Sequence, residues 1–332
     1  MTARKIKIFV SPKFQWGVFK TSECISLLGD GGVSILQRPF FAEIIVVPTK
    51  REAIKFQQIF PFKRFLLYAD DPRLDRQESN LLYRPSPLNS VHIMNVFTGD
   101  VFIDNYAFCN THQIGNFPCL NPVSEDHFLS RERQIATMMS YSTSMLAAPS
   151  PPHGTNLHKL RVDIISYAHR NDFGKVMGGG WPQEFFAVES GYAAEVRGEI
   201  QESWSIVKLR WLSRFWFNLC FENTLAPHYV TEKIWHAIMA GCVPVYYGRG
   251  STISTSFPKG SFVDYTDFNS PKKLVQYLLE LSATQACEIY NAGVAAFNKM
   301  LKRKANSHAL VELDRARRVR DKLFTIGSNG LS

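Results

Sequence analysis

The sequence lacks the features that mark several large classes of protein. It has no run of about 18 apolar residues, so no membrane-spanning helix is predicted. It has no P-loop, zinc-finger, helix-turn-helix or RNA-binding aromatic motif, so no nucleic-acid partner is expected. Its six cysteines form no CxxC pair and no zinc-ligand spacing with histidine, and we expect Cys220 and Cys242, in apolar runs, to be buried. The opening MTARKIKIFVS is too short and too charged for a signal peptide, which favours a cytoplasmic protein.

What is present is an ordinary globular composition with an excess of positive charge. Apolar residues make up 45% and charged residues 20% of the 332 positions, and this length suggests two domains. The formal net charge is +9, and Leu301–Thr325 holds eight Lys/Arg against three Asp/Glu. Lys302–Lys322 predicts an amphipathic helix, which either packs on its own protein or makes peripheral contact with an anionic membrane.

The first part of the chain alternates between strand and helix patterns. Strands are predicted at four apolar runs: Ile6–Val10, Glu43–Val47, Arg64–Tyr68 and His92–Phe97. The second and third are almost continuously apolar, as buried parallel strands tend to be. Lys50–Phe60, between two of them, suits a crossover helix. This alternation predicts an open α/β sheet.

A second α/β series is predicted further along the chain. The polar stretch Glu125–Ser140 predicts a helix that leads out of the first domain, and Ser142–Ala148 predicts a strand. Asn156 can cap a helix that runs from Leu157 to about His169.

Polar residues gather in one later strand–loop–helix–strand unit. Phe217–Asn223 predicts a strand, Thr231 begins a helix that Gly241 ends, and Val243–Tyr247 predicts the next strand. In open α/β sheets, ligands lie at the carboxyl ends of strands, against helix N-termini. Five side chains are therefore predicted at a ligand-binding edge: Glu222, Asn223, Tyr229, Glu232 and Lys233.

The chemistry of this edge suits a nucleotide sugar. A helix N-terminus attracts phosphate, and Lys233 in the first turn adds a positive charge. Glu232 can accept hydrogen bonds from vicinal sugar hydroxyls. The same two residues are also compatible with a solvated first helical turn, and the helix pattern alone does not separate these interpretations.

A family resemblance favours the functional interpretation. The run FENTLAPHYVTEKIWHAIMAGCVPVYYG resembles the signature of the inverting α-1,3/4-fucosyltransferases, and the following GSFVDYTDF is also similar to that family. The resemblance is strong over Phe217–Phe268 and weak over the rest of the chain. It implies a GT-B fold, in which two Rossmann-like α/β domains face each other across a cleft.

The resemblance also implies an activity and a division of labour. Residues 1–138 would bind the acceptor, 139–300 would bind the donor, and 301–332 would form the basic C-terminal helix and tail. The donor would be GDP-fucose and the acceptor an oligosaccharide or glycoconjugate, with α-1,3 transfer to GlcNAc or Glc of a lactosamine- or lactose-like unit. No cofactor and no metal would be required, and a divalent cation would at most stimulate.

Residue by residue, the resemblance assigns roles on both sides of the reaction. The family's donor-binding positions fall on four residues: Asn223, Tyr229, Glu232 and Lys233. An upstream arginine that holds the pyrophosphate corresponds to Arg161 or, less well placed, Arg170. The catalytic base falls on Asp70, where the family usually has glutamate, and Asp71 is the alternative. Adjacent carboxylates raise each other's pKa, which would suit a base.

Two other function classes remain compatible with the sequence. One is a related inverting transferase that uses another nucleotide sugar, because a shared scaffold does not determine the substrate. The other is a non-enzymatic basic protein that binds nucleic acid or an anionic membrane.

Overall fold

The computed structural model describes residues 5–14, 17–69, 83–86, 89–98, 101, 118–147, 156–183, 185, 204–268, 270–304 and 308–328. The chain divides into two compact units. The first comprises Met1–Ala107, Ala226–His228 and Ala305–Ser332, and the second comprises Phe108–Leu225 and Tyr229–Lys304. Each unit holds its own sheet of mainly parallel strands, which confirms the prediction of two α/β domains.

The first unit has a six-stranded sheet in the order β2-β1-β3-β4-β6-β5. Its strands are β1 Ile6–Val10, β2 Val33–Leu36, β3 Ile44–Val47, β4 Arg64–Ala69, β5 Tyr83–Ser86 and β6 Asn89–Asn95. Its helices are α1 Ser22–Asp30, α2 Lys50–Ile59 and, from the C-terminal part of the chain, the helix His308–Ser328. Neighbouring strands are parallel except β5 and β6. The strands predicted at the first three apolar runs are confirmed, and the fourth begins and ends earlier than predicted.

The apolar runs become strands because both of their faces are covered. All four residues of β3 are buried, and the core beside them is formed by Ala53 of α2, Phe65 and Leu67 of β4, and Val91 of β6. Thr49 caps α2 by accepting a hydrogen bond from the Glu52 backbone N–H. The crossover helix predicted at Lys50–Phe60 is thereby confirmed.

The second unit has a five-stranded parallel sheet in the order β11-β10-β9-β7-β8. Its strands are β7 Glu132–Met138, β8 Gly174–Met177, β9 Phe215–Leu219, β10 Val243–Tyr246 and β11 Val263–Asp264. Its helices, in chain order, are α3 Asp126–Leu129, α4 Thr143–Leu146, α5 Leu157–Arg170, α6 Trp204–Leu212, α7 Glu232–Met239, α8 Pro271–Glu280 and α9 Ala283–Lys304. The helix His308–Ser328 of the first unit is α10. Asn156 caps α5, as predicted, by accepting from the Lys159 backbone N–H at 3.1 Å.

The helix predicted at Glu125–Ser140 is wrong. Only the single turn α3 forms, and β7 follows it as an internal strand between β8 and β9. The charged residues at the start of β7 have partners elsewhere in the second unit. Glu132 accepts a hydrogen bond from Arg214 at 3.1 Å, and the Arg133 guanidinium lies 5.1 Å from the centre of the Trp216 ring. Pairing on both sides therefore overrides the helix-favouring composition.

The strand predicted at Ser142–Ala148 is also wrong over its described residues. Ser142 accepts a hydrogen bond from the Met145 backbone N–H at 3.4 Å and starts the short helix α4. The Asn156 side-chain amide donates to the Met145 carbonyl at 3.0 Å, so the residue that caps α5 also satisfies the end of α4.

The units divide near residue 107, whereas the sequence placed the boundary at 138, because β7 lies within the second sheet. The basic segment also differs from the prediction, since α9 ends at Lys304 and α10 is a separate helix. The apolar side of α10 packs within the first unit, where Val319 and Leu323 are fully buried. In the parts of the chain that the structure describes, no helix is both long enough and apolar enough to cross a membrane.

The C-terminal end of α7 is held by its own backbone hydrogen bonds and by Arg131. The opposite end of the helix lies beside the polar residues that follow β9. Gly241 has φ +80°, and its N–H and that of Cys242 donate back to the carbonyls of Ile238 and Ala237 at 2.9 Å. This is a Schellman termination, so the predicted helix stop at Gly241 is confirmed. The Arg131 guanidinium donates to the Gly241 carbonyl at 3.0 Å, where a cation also favours the negative end of the helix.

Candidate active site

A buried carboxylate, Glu222, lies at the centre of the polar residues that follow β9. Its Oε1 accepts from the Thr231 backbone N–H at 2.7 Å and from the Tyr246 hydroxyl at 3.2 Å. Its Oε2 accepts from the Thr231 hydroxyl at 2.7 Å and from Lys233 Nζ at 2.9 Å. These donors compensate for removing the charge from water. Glu222 therefore ties the loop after β9, the start of α7 and the end of β10 together.

The positive N-terminal end of α7 already lies next to the negative charge of Glu222. Thr231 is the N-cap residue, yet its hydroxyl donates to Glu222 and accepts no hydrogen bond from the backbone N–H groups of the first helical turn. The positive end of the helix dipole thus lies next to a carboxylate of the protein itself. This weakens the expectation that the helix end alone attracts a phosphate, and it leaves that task to side-chain cations.

Lys233 is held in place within the site. Its Nζ donates to Glu222 and to the Thr231 hydroxyl at 2.8 Å, lies 3.7 Å from Glu232 Oε1, and stands 6.0 Å from the centre of the Tyr229 ring. Burial lowers the pKa of this amine, but Glu222 and Glu232 outweigh burial, and the pKa is raised above the ordinary lysine value. Lys233 is therefore a fixed, fully charged cation, and Tyr229 and Glu232 lie beside it.

Arg161 supplies a second fixed cation beside the same loop. It lies on α5 and is only 4% exposed. Its Nη1 donates to the Phe221 carbonyl at 3.1 Å, and its Nη2 donates to Asn223 Oδ1 at 2.7 Å and lies 3.5 Å from His158 Nδ1. The structure therefore brings together Arg161 and Asn223, which are 62 positions apart in the chain.

Arg170 occupies a different environment. It is the last residue of α5 and is exposed. Nine residues of helix separate it from Arg161, about 13 Å along the axis. Of the two arginines that the sequence left open, only Arg161 lies beside Asn223. Asp70 and Asp71, the two candidate bases, lie outside the described residues, and their role stays a prediction.

A buried lysine, Lys208 on α6, packs behind this cluster. Its Nζ lies 3.3 Å from Nδ1 of His236 on α7. Burial lowers its pKa from 10.5 to about 8; Glu232, Cys220 and Glu222 oppose this shift, and Lys233 adds to it. Because native Lys208 loses its proton at lower pH than the unfolded chain does, stability rises with pH between about 8 and 10.5 at this residue.

We expect this titration to be measurable as a difference between two proteins. Relative to Lys208→Met, the wild type should gain about 1 kcal/mol of unfolding free energy between about pH 7 and about pH 9. Denaturant unfolding of both proteins across this range measures the difference, and groups common to both cancel. Lys273→Met, at an exposed position on α8, is the matched control and should show no such gain. A pH-independent difference at Lys208 would contradict the assignment.

Two residues of the cluster were underestimated from the sequence. Glu222 was placed at the ligand edge but not among the binding residues, and Lys208 was not singled out. Both are charged residues next to apolar runs, and a buried charge implies dedicated partners. That signal could have identified them. Among the described residues, no group of three His, Cys, Asp or Glu is arranged to hold a metal ion.

The second unit belongs to the class of parallel α/β folds whose polar residues gather at the carboxyl ends of strands beside a helix N-terminus, as nucleotide-binding sheets do. Residues 194–292 match the family model described as glycosyltransferase family 10 (fucosyltransferase), C-terminal part. Over this segment, about three tenths of its length, the chain is similar to that family. The resemblance seen over Phe217–Phe268 is thereby confirmed.

Curated relatives match over a short part of the chain. The chain is 46% identical over 77 residues to 4-galactosyl-N-acetylglucosaminide 3-alpha-L-fucosyltransferase FUT6 of Homo sapiens, covering 23% of this chain and 21% of that protein. The same values apply to 3-galactosyl-N-acetylglucosaminide 4-alpha-L-fucosyltransferase FUT3 of Homo sapiens. The match thus spans about a fifth of the length of these relatives.

Solved structures are similar over the whole chain but only distantly. A crystal structure of an alpha1,3-fucosyltransferase with GDP-fucose is 18% identical, with a TM-score of 0.43, and the comparison covers 100% of this chain and 94% of that one. The T4 phage beta-glucosyltransferase is 12% identical, with a TM-score of 0.40, and covers 97% of this chain and 99% of that one.

Proposed function

We propose that this chain transfers L-fucose from GDP-fucose to a hydroxyl of an acceptor glycan, with inversion at the anomeric carbon. The observation that carries the proposal is the family match over residues 194–292, a segment that contains Asn223, Tyr229, Glu232 and Lys233. The matched relatives include both a 3-alpha- and a 4-alpha-L-fucosyltransferase at equal identity. The segment therefore supports the fucosyl donor and not the linkage. For the acceptor we propose an α-1,3 linkage to GlcNAc or Glc of a lactosamine- or lactose-like unit.

The proposed donor site lies in the second unit. Arg161 and Lys233 would neutralise the negative charge that grows on the diphosphate as GDP leaves, and Asn223 would keep the guanidinium oriented. Glu232 would accept hydrogen bonds from the hydroxyls of ribose or fucose, and the Tyr229 ring lies beside Lys233. With two cations held in this way, we propose that no metal is required for transfer and that a divalent ion at most stimulates.

The proposed base lies in the first unit, which would bind the acceptor in a GT-B arrangement. The Asp70 carboxylate, or that of Asp71, would take the proton of the acceptor hydroxyl as its oxygen bonds to the anomeric carbon of fucose. The bond from that carbon to the diphosphate oxygen breaks at the same time, and GDP leaves with the electron pair.

Thermal-shift measurements with GDP-fucose, GDP-mannose and UDP-galactose test the donor class. We expect GDP-fucose and GDP to raise the melting temperature and UDP-galactose to have no effect. Radiolabelled transfer from GDP-fucose to an array of acceptor glycans then identifies the acceptor. Stabilisation by UDP-galactose alone would favour a related transferase with another donor. Stabilisation by DNA or anionic lipid with no response to any nucleotide would contradict the enzyme proposal.

Substitution of the two aspartates separates catalysis from donor binding. Asp70→Ala should lower the transfer rate roughly 100-fold while the Kd for GDP stays unchanged, because a base contributes to the proton transfer and not to diphosphate binding. Asp71→Ala is the matched control at the neighbouring position. A fully active Asp70→Ala protein with an inactive Asp71→Ala protein would move the role to Asp71, and two active proteins would contradict both assignments.

A further inference from the structure

Large apolar side chains are exposed together at one place on the first unit. Phe40 and Phe41 are 70% and 64% exposed, and Ile59 and Phe62 are 67% and 86% exposed. We call these four residues the phenylalanine patch. Phe40 and Phe41 belong to the 3₁₀ turn before β3, whereas Ile59 ends α2 and Phe62 lies in the turn before β4. Exposure of apolar side chains to water contributes no stability to the fold, and a cluster of exposed apolar side chains marks an interaction surface.

The two segments of the patch are joined at one edge of the sheet. Parallel pairing of Ile44 with Arg64 places the residues that precede β3 and β4 side by side. Lys63 Nζ donates to the Phe40 carbonyl at 2.7 Å and also to the Ala42 carbonyl. The Phe40 and Phe41 ring centres are 5.3 Å apart. The two backbone segments that carry the patch are therefore joined at one edge of the sheet.

Three cations lie beside Phe40 and Phe41. Lys7 and Arg38, both exposed, line a shallow depression together with Phe41. Lys63 adds a third cation beside Phe40. An acidic residue, Glu43, also lies at this edge, and its Oε1 accepts from the Lys7 backbone N–H at 3.0 Å. These four described residues, three cations and one carboxylate, carry a net positive charge.

We propose that the phenylalanine patch, with Lys7, Arg38 and Lys63, docks the protein on the surface of an anionic membrane. Aromatic rings insert at the level of lipid headgroups, and lysine and arginine next to them pair with anionic lipid. A second copy of the chain is the less favourable occupant, since a two-fold contact would bring the same cations of both copies together. The proposal also relocates the membrane contact predicted for the C-terminal helix, because Val319 and Leu323 of α10 are already buried.

Vesicle sedimentation tests this surface. The full chain is mixed with vesicles of phosphatidylcholine alone, or of phosphatidylcholine and phosphatidylserine at about three to one, at low and at raised salt. We expect binding to the mixed vesicles that weakens with salt, and little binding to phosphatidylcholine alone. Phe40→Ser/Phe62→Ser should lower the partition coefficient roughly tenfold or more. Lys7→Gln/Arg38→Gln should lower it by a similar factor, at about fivefold for each charge.

Matched controls lie on the second unit. Leu129→Ser removes one exposed apolar side chain, and Lys272→Gln/Lys273→Gln removes two exposed cations. Both should bind the mixed vesicles like the wild type, and all variants should keep the wild-type melting temperature. Equal binding of the wild type and Phe40→Ser/Phe62→Ser would overturn the proposal. So would failure of the wild type to bind the mixed vesicles, or a dimer in sedimentation equilibrium that Phe40→Ser/Phe62→Ser dissociates.

Discussion

Arg161→Ala is expected to weaken GDP binding roughly 100-fold and to lower kcat/KM for transfer roughly 1000-fold. The guanidinium is buried and is held by the Phe221 carbonyl and the Asn223 side chain. Its truncation removes a cation that the proposed mechanism places against the diphosphate. It also leaves Phe221 O and Asn223 Oδ1 without that donor. The loss in kcat/KM exceeds the loss in binding because charge on the leaving diphosphate is greatest in the transition state.

Arg170→Ala is the matched control for this prediction. It removes the same side chain from the same helix, about 13 Å away and exposed. We expect unchanged GDP binding, which isothermal titration calorimetry measures for both proteins. Arg161→Lys should recover only part of the affinity, since lysine keeps the charge but not the planar fork. Loss of GDP binding in Arg170→Ala with normal binding in Arg161→Ala would reverse the assignment.

Glu222→Gln is expected to lower the free energy of unfolding of the second unit by about 3 kcal/mol. Glutamine keeps the shape of the side chain but removes the charge opposite Lys233. Its amide group would also face a donor, because both oxygens of Glu222 accept hydrogen bonds from Thr231. The start of α7 would therefore loosen, and GDP affinity should fall together with stability.

Denaturant unfolding followed by tryptophan fluorescence measures this effect, since Trp235 lies on α7. Glu280→Gln, at the exposed end of α8, applies the same chemical change and should stay within about 0.5 kcal/mol of the wild type. An equally stable Glu222→Gln protein would show that the buried carboxylate does not hold the site together.

The helices and strands that could be predicted share one property: the pattern that indicates each of them lies within or next to its own residues. β3 and β4 are continuous apolar runs, and α2 and α5 begin at the cap residues Thr49 and Asn156. The end of α7 follows from Gly241, because a left-handed backbone conformation after the last helical turn favours glycine. In each case the local preference and the tertiary fold agree.

The elements that were missed depend on partners distant in the chain. Glu132 and Arg133 begin an internal strand because both have partners on the neighbouring segment. Arg214 donates a hydrogen bond to Glu132, and the Trp216 ring lies next to the Arg133 guanidinium. The Lys302–Lys322 helix was predicted with an apolar side available to a membrane, yet α1 and the first sheet already cover that side of α10. Composition over a short window contains no information about such partners.

By itself, the sequence determined the fold class and the family resemblance at Phe217–Phe268, and it predicted which residues lie at the ligand edge. This was possible because that segment is short, contiguous and rich in polar residues at element ends. Only the tertiary structure decided that Arg161, and not Arg170, lies beside Asn223, and that Glu222 holds Lys233. Those contacts join residues up to 62 positions apart, and their geometry depends on how the parallel strands align. In the first unit, the parallel pairing of β3 with β4 likewise brings together the segments that carry the phenylalanine patch and its cations.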